Sequence, residues 1–118
     1  VRPYTNTICN HWRFKTPNEA VISSNKIYAM YEDYLNDGDF IGMDMCRKFL
    51  EMGFTRARRY ANHNDGKKYD SEGNIRPQEP DHATSKYAQS AGIFKKIRNI
   101  VAKSTEYAMM RKQWRSSE

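Results

Sequence analysis

No apolar run in the chain approaches the roughly 18 residues that a membrane-spanning helix needs. Nor is the opening Val1-Arg2-Pro3 followed by the apolar core of a secretory signal. Membrane insertion and secretion are therefore not expected, and the expected location is cytoplasmic or otherwise intracellular. Cysteine is scarce as well. Cys9 and Cys46 are the only two, too few for a disulfide framework, so both are expected to be free thiols in a reducing compartment. The chain has no glycine-rich phosphate loop, no nucleophile motif and no metalloprotease signature, which leaves the commonest enzyme classes without a sequence marker. It also begins without Met, so a processed form, a trimmed piece and the C-terminal part of a longer protein all stand as readings.

What is present suits one domain. The 118 residues are about the length of a single core, and residues 1–118 are read as one helical domain. Only 38% of them are hydrophobic, yet five Phe, eight Tyr and two Trp give that core bulky side chains to bury. The net charge of +6 is unevenly spread. Residues 47–68 carry seven basic groups against two acidic, as do residues 95–118, whereas residues 1–46 and 69–94 are each acidic by two. Two basic blocks suit a positive surface for a polyanion; solvated helix faces are the plainer explanation.

The strongest local signal is Thr16-Pro17-Asn18-Glu19, an N-cap threonine with proline at the first helical position and glutamate three residues past the cap. It predicts a helix to about Asn36 with Ala20, Ile27, Tyr31, Tyr34 and Leu35 near one face, ended by Asp37-Gly38-Asp39. Before it, Trp12 and Phe14 alternate with basic residues in Ile8–Lys15, the pattern of a short extended piece whose aromatics cover a helix pair. Asp39 predicts a second helix over Phe40–Met52, with Phe40, Met43, Phe49 and Leu50 at helical spacing and Gly53 at its C-terminus. Thr55 then caps a short third helix to about Asn62. From His63 to Pro80 the sequence reads as turns and polar loop, a length usually associated with function. Asp81 predicts a long last helix to about Arg115, with Tyr87, Ala91, Phe94, Ile97, Val101 and Ala108 on one side and a bend at Gly92. The expected fold is mainly α, a compact bundle of three or four helices with the long C-terminal helix as its spine.

Three segments, His11-Trp12-Arg13-Phe14-Lys15-Thr16-Pro17, Asp39-Phe40-Ile41-Gly42-Met43-Asp44-Met45 and Met52–His63, carry a resemblance that extends over most of the chain. On these residues it resembles an uncharacterised domain-of-unknown-function family with members in bacteria, fungi and marine phages. The block from Thr55 to Tyr69 is its most specific part. The resemblance implies a helical domain and brings no activity, cofactor or catalytic residue with it.

Three functions compete. Nucleic-acid binding, to DNA or RNA, draws on a helix, a Gly-bearing turn and an arginine-rich helix, laid out like a helix-turn-helix. The candidate contacts are Arg56, Arg58, Arg59, Lys67 and Lys68 for phosphate, with Tyr60 or Tyr69 for base stacking. Helical geometry keeps Arg56, Arg58 and Arg59 off a single face, and pairing with Glu51, Asp44 or Asp70 inside the fold is their structural alternative. An assembly module, a homo-oligomer formed through Tyr107-Ala108-Met109-Met110 and Trp114, is the second class; its alternative is packing within one chain. The third is an enzyme centred on His63, where Asn62–Asp70 gathers a base, carboxylates, cations and a phenol. Turn formation explains the same residues. Cys9-Asn10-His11 is a single imperfect ligand pair even if His63, Asp65 and His82 are added, so neither metal nor other cofactor is expected.

Overall fold

The computed structural model describes residues 2–63 and 65–117; Asn64, part of the expected loop, lies outside them. Five helices follow in order: α1 (Arg2–Cys9), α2 (Pro17–Asn36), α3 (Phe40–Asn62), α4 (Lys86–Ala102) and α5 (Thr105–Ser117). The fold is a mainly α bundle with no strand among the described residues, only an isolated antiparallel bridge between Tyr69 and Ile75.

α2 follows the sequence closely. Thr16 Oγ1 accepts the Glu19 amide at 3.2 Å, and the helix ends at Asp37 with Gly38 at φ +71°, a conformation that glycine adopts without Cβ strain. The piece expected to be extended behaves differently. Ile8 and Cys9 close α1, and a turn through His11 and Trp12 follows, with their amides bonded to the Ile8 and Cys9 carbonyls. The aromatics do cover two helices. Trp12 packs edge-on to Phe49 of α3 at 5.6 Å and donates its indole N–H to the Phe49 carbonyl, while Phe14 lies 6.0 Å from Tyr60 of α3 and 6.4 Å from Tyr87 of α4.

The principal correction concerns α3. Phe40–Asn62 is one helix of 23 residues, so Gly53 is not a C-terminal residue and Thr55 is not a cap. Thr55 Oγ1 instead donates backward to the Met52 carbonyl, as threonine does within a helix. Gly53 is there for packing, since a Cβ at that position would overlap the Phe94 ring of α4. At about 1.5 Å per residue α3 spans roughly 34 Å. It packs on α1, α2, α4 and α5 and is the spine of the bundle, the place expected for the last helix.

The last helix is in fact two. Ser85, not Asp81, caps α4 by accepting the Ala88 amide, and the helix continues unbroken through Gly92. The break comes at Lys103-Ser104. Ser104 Oγ accepts the Tyr107 amide and the Tyr31 hydroxyl, which starts α5 in a new phase. The reset exposes Ala108, expected in the core, and buries Tyr107 in its place. The core joins Ile8, Ile27, Met43, Cys46, Leu50, Phe94 and Val101, all fully buried.

Candidate functional site

Because α3 is continuous, each residue is turned about 100° from the one before it, so Arg58 lies across the helix from Arg56 and Tyr60, which are one turn apart on neighbouring positions. Tyr60 lies on the aromatic side, stacked on Tyr87 at 5.2 Å, beside Phe14 and under Gly66, where a Cβ would come within 3.0 Å of the ring. Arg56 is exposed. Arg58 and Arg59 point along another edge, toward the loop that returns from α3. The turn of a helix-turn-helix, expected at Gly53, does not exist in this helix.

The loop is held by its own polar groups. Arg76 clasps both oxygens of Asp65 at 2.7 and 2.9 Å and donates to the Lys67 carbonyl, while Asp70 Oδ1 accepts the Glu72 and Asn74 amides. The Lys67 amide first, and then the Arg76 guanidinium, lower the Asp65 pKa below its ordinary value. Two bonds fasten the loop to α3: the Glu79 amide to the Asn62 carbonyl at 2.7 Å, and Arg58 Nη1 to the His82 carbonyl at 2.9 Å. Asp65 and Asp70 thus serve the loop itself. None of Arg56, Arg58 and Arg59 forms an ion pair among the described residues, since Glu51 is paired with Arg98 and Asp44 with Arg47 and Lys48.

Between α3 and this loop lies a cleft of about 310 Å³. Arg58, Arg59, Asn62 and His63 form its helical wall, and Lys68 and Gln78 face them from the loop; among the described residues no carboxylate lines it. His63 is only 5% exposed, and its Nδ1 is buried without a hydrogen-bond partner. The Lys68 ammonium also stands 5.6 Å over the exposed Tyr69 ring, and Lys67 is exposed. The cleft therefore gathers Arg58, Arg59 and Lys68, but not Arg56, Tyr60, Lys67 or Tyr69. No hydrogen bond joins Asp65 or Asp70 to His63, so the acid/base arrangement imagined around His63 has no orienting carboxylate among the described residues.

Sequence reasoning missed a second cationic recess, also of about 310 Å³, where α5 crosses the first half of α3. Here Asp44 binds Arg47 at 2.9 Å, Lys48 at 3.6 Å and the Tyr107 hydroxyl at 2.6 Å, and Arg111 and Arg115 line the same recess. The two basic blocks of the sequence meet at this seam. Lys48 and Arg59 are eleven residues apart, three helical turns, so they share a face of α3 about 16 Å apart along its axis. The signal was the i, i+11 repetition of the pairs Arg47-Lys48 and Arg58-Arg59, legible only once the helix is known to be unbroken.

Tyr107 and Trp114 of α5 pack on Phe40 at 5.7 and 5.9 Å; of the expected assembly stripe Tyr107 is buried, whereas Ala108, Met109 and Trp114 are exposed. Among the described residues no three His, Cys, Asp or Glu side chains gather where they could hold a metal ion, and no helix is long and apolar enough to cross a membrane.

Residues 1–117 match the family described as Domain of unknown function (DUF4385), and the chain belongs to that family. No curated protein and no solved structure matches it.

Proposed function

We propose that this DUF4385 domain binds the sugar-phosphate backbone of nucleic acid, DNA or RNA, at the end of α3 and the loop that follows. The supporting observation is the cleft that brings Arg58, Arg59 and Lys68 together without a carboxylate. Guanidinium and ammonium groups free of internal ion pairs are available to phosphate oxygens, and each phosphate neutralised releases condensed counterions. Arg56 and Lys67 flank the cleft as exposed charges. Exposure favours Tyr69 over the packed Tyr60 as a stacking surface. Arg47 and Lys48, three turns earlier on the same face, are paired with Asp44 and lie outside the cleft. Recognition rests on charge and carries no sequence specificity. An intracellular location belongs to the same proposal, because its ligand is found there.

Labelled duplex and single-stranded DNA and RNA, titrated at two salt concentrations, provide the test. Binding is expected to weaken steeply with salt. Replacing Lys67 and Lys68 by glutamine is expected to weaken all sequences alike and to lower the salt slope by about one unit per lost contact. Failure to bind any of them more tightly than roughly 100 μM at low salt, weaker than much non-specific DNA binding, overturns the proposal.

A further inference from the structure

The geometry points to a terminal phosphate, the phosphomonoester at the end of a nucleic-acid strand, as the group that the α3–loop cleft takes. This rests on the nucleic-acid proposal above and narrows it.

The cleft has two walls, one from α3 and one from the loop, and is open to solvent between them. Arg58 and Arg59 both line the α3 wall, Arg58 with one guanidinium nitrogen on the His82 carbonyl and the rest of its donors uncommitted among the described residues. Lys68 comes from the loop opposite, and the side-chain amides of Asn62 and Gln78 add neutral donors to the wall. A volume near 310 Å³ is at the small end of ligand pockets, of roughly 300–1,000 Å³, which suits a compact group.

His63 shapes the wall beside these donors. It caps α3, its amide bonded to the Arg59 carbonyl at 2.9 Å, which places the residue at the cleft wall. Its side chain is 95% withdrawn from solvent, and its Nδ1 has no hydrogen-bond partner. Buried polar atoms are rarely left unpaired, because each costs the desolvation of a lost hydrogen bond. His63 thus walls the cleft beside three cations, while its Nδ1 is closed off from solvent and is not itself offered to the ligand.

The number of donors selects the kind of phosphate. An internal phosphodiester has two free oxygens and a single charge, and its chain must continue on both sides. A phosphomonoester has three free oxygens and a charge of about −1.5 to −2, and its chain leaves on one side only. Donors on opposing walls of a small cleft are satisfied more fully by the second.

Three forms of one short single strand test this: phosphorylated at the first end, phosphorylated at the other, and with hydroxyls at both. The matching mononucleotide and inorganic phosphate serve as competitors. One phosphorylated strand is expected to bind roughly tenfold or more tightly than the hydroxyl form, the scale of one added charged hydrogen bond. Arg59→Gln with Lys68→Gln, both at exposed positions, is expected to abolish that preference with an unchanged melting temperature. His63→Gln, accepted only if its melt is unchanged, is expected to reduce it. Equal binding of all three strands overturns the inference and leaves the backbone proposal standing, whereas no binding by any strand removes both. A preference that survives in the Arg59/Lys68 variant places the end elsewhere and overturns the assignment. A mononucleotide that binds as tightly as the strand overturns the strand end as the ligand.

Discussion

Gly53 of α3 lies against the Phe94 ring of α4 so closely that a Cβ on the glycine would overlap it. Phe94 is fully buried and cannot swing away, so Gly53→Ala must push the two helices apart. Overpacking of about 1–3 kcal/mol outweighs the helix-propensity gain of about 1 kcal/mol, and a net loss of roughly 1 kcal/mol is expected. Gly92 is the internal control. It is exposed in α4 with nothing within 4 Å of a built Cβ, so Gly92→Ala is expected to stabilise by about 0.5–1 kcal/mol. Denaturant titration of both variants checks the pair, and loss at both positions would contradict it.

Capping residues differ in how much rests on them. Thr16 serves only its helix, and Thr16→Ala is expected to cost about 1 kcal/mol. Asp39 does more: one carboxylate oxygen accepts the Gly42 amide at 3.1 Å and the other the Tyr4 hydroxyl at 2.7 Å, which ties α1 to the start of α3. Asp39→Ala is therefore expected to cost more than Thr16→Ala, and Tyr4→Phe to recover part of the difference when the two cycles are compared by urea unfolding. Equal costs at Thr16 and Asp39 would deny the α1 tether.

Caps and periodicity were the legible part of the sequence. Thr16 and Asp39 were read correctly, as were the polar loop and Ala20, Ile27 and Tyr31 on the buried face of α2, whose Ser23, Ser24 and Met30 were missed. Gly53-Phe54-Thr55 misled because glycine followed by threonine is the local grammar of a helix end and a new cap. The competing demand, space for Phe94, comes from 41 residues away and leaves no local trace. The opposite error fell at Lys103-Ser104-Thr105-Glu106. There the apolar spacing looked continuous, although serine followed by an acidic residue in the next turn was a cap signal in plain sight. At the candidate site, the cations Arg58, Arg59 and Lys68 were legible as types. Their convergence depends on the Arg58–His82 and Glu79–Asn62 attachments of the loop, which no local pattern announces.

The two thiols should behave oppositely. Burial pushes Cys46 up to about 12, so at neutral pH it is a protonated, enclosed core residue, whereas Cys9 is exposed. Mass spectrometry after brief treatment with a maleimide should find one label per native chain, on Cys9, and two after denaturation. Rapid native labelling of Cys46 would show that the α3 core opens.

Asp44 links stability to pH at the α3–α5 seam. Burial tends to raise its pKa, but the hydrogen bonds from the Tyr107 hydroxyl and the Arg47 guanidinium, aided by Lys48, prevail and hold it below the ordinary carboxylate value. A depressed folded pKa means that the stabilisation is fully present above the unfolded value, about 4, and is lost as pH falls through the lower folded value. Melting temperatures of wild type and Asp44→Asn should therefore differ by a constant amount from about pH 5 to neutrality and converge in stronger acid. Curves that run parallel into acid would rule out this carboxylate as the titrating group.

Arg58 and Arg59 adjoin in sequence but should separate in experiment. Arg58 is half-buried and donates to the His82 carbonyl, so it holds the far end of the loop against α3 and thereby sets the position of Lys68 across the cleft. A charged donor to a partly buried carbonyl contributes about 1.5–3 kcal/mol, reduced here by its partial exposure. Arg58→Met is expected to cost roughly 1 kcal/mol and to speed amide exchange at Arg76, whose N–H bonds the Lys68 carbonyl. Arg59 is exposed and forms no ion pair among the described residues, so Arg59→Met should change stability by less than about 0.5 kcal/mol. Both variants should weaken nucleic-acid binding, Arg59→Met with loop exchange unaltered and Arg58→Met together with it. If Arg58→Met melts and exchanges like wild type, the loop is held by other contacts, and the cleft must be reassigned to Arg59 and Lys68 alone.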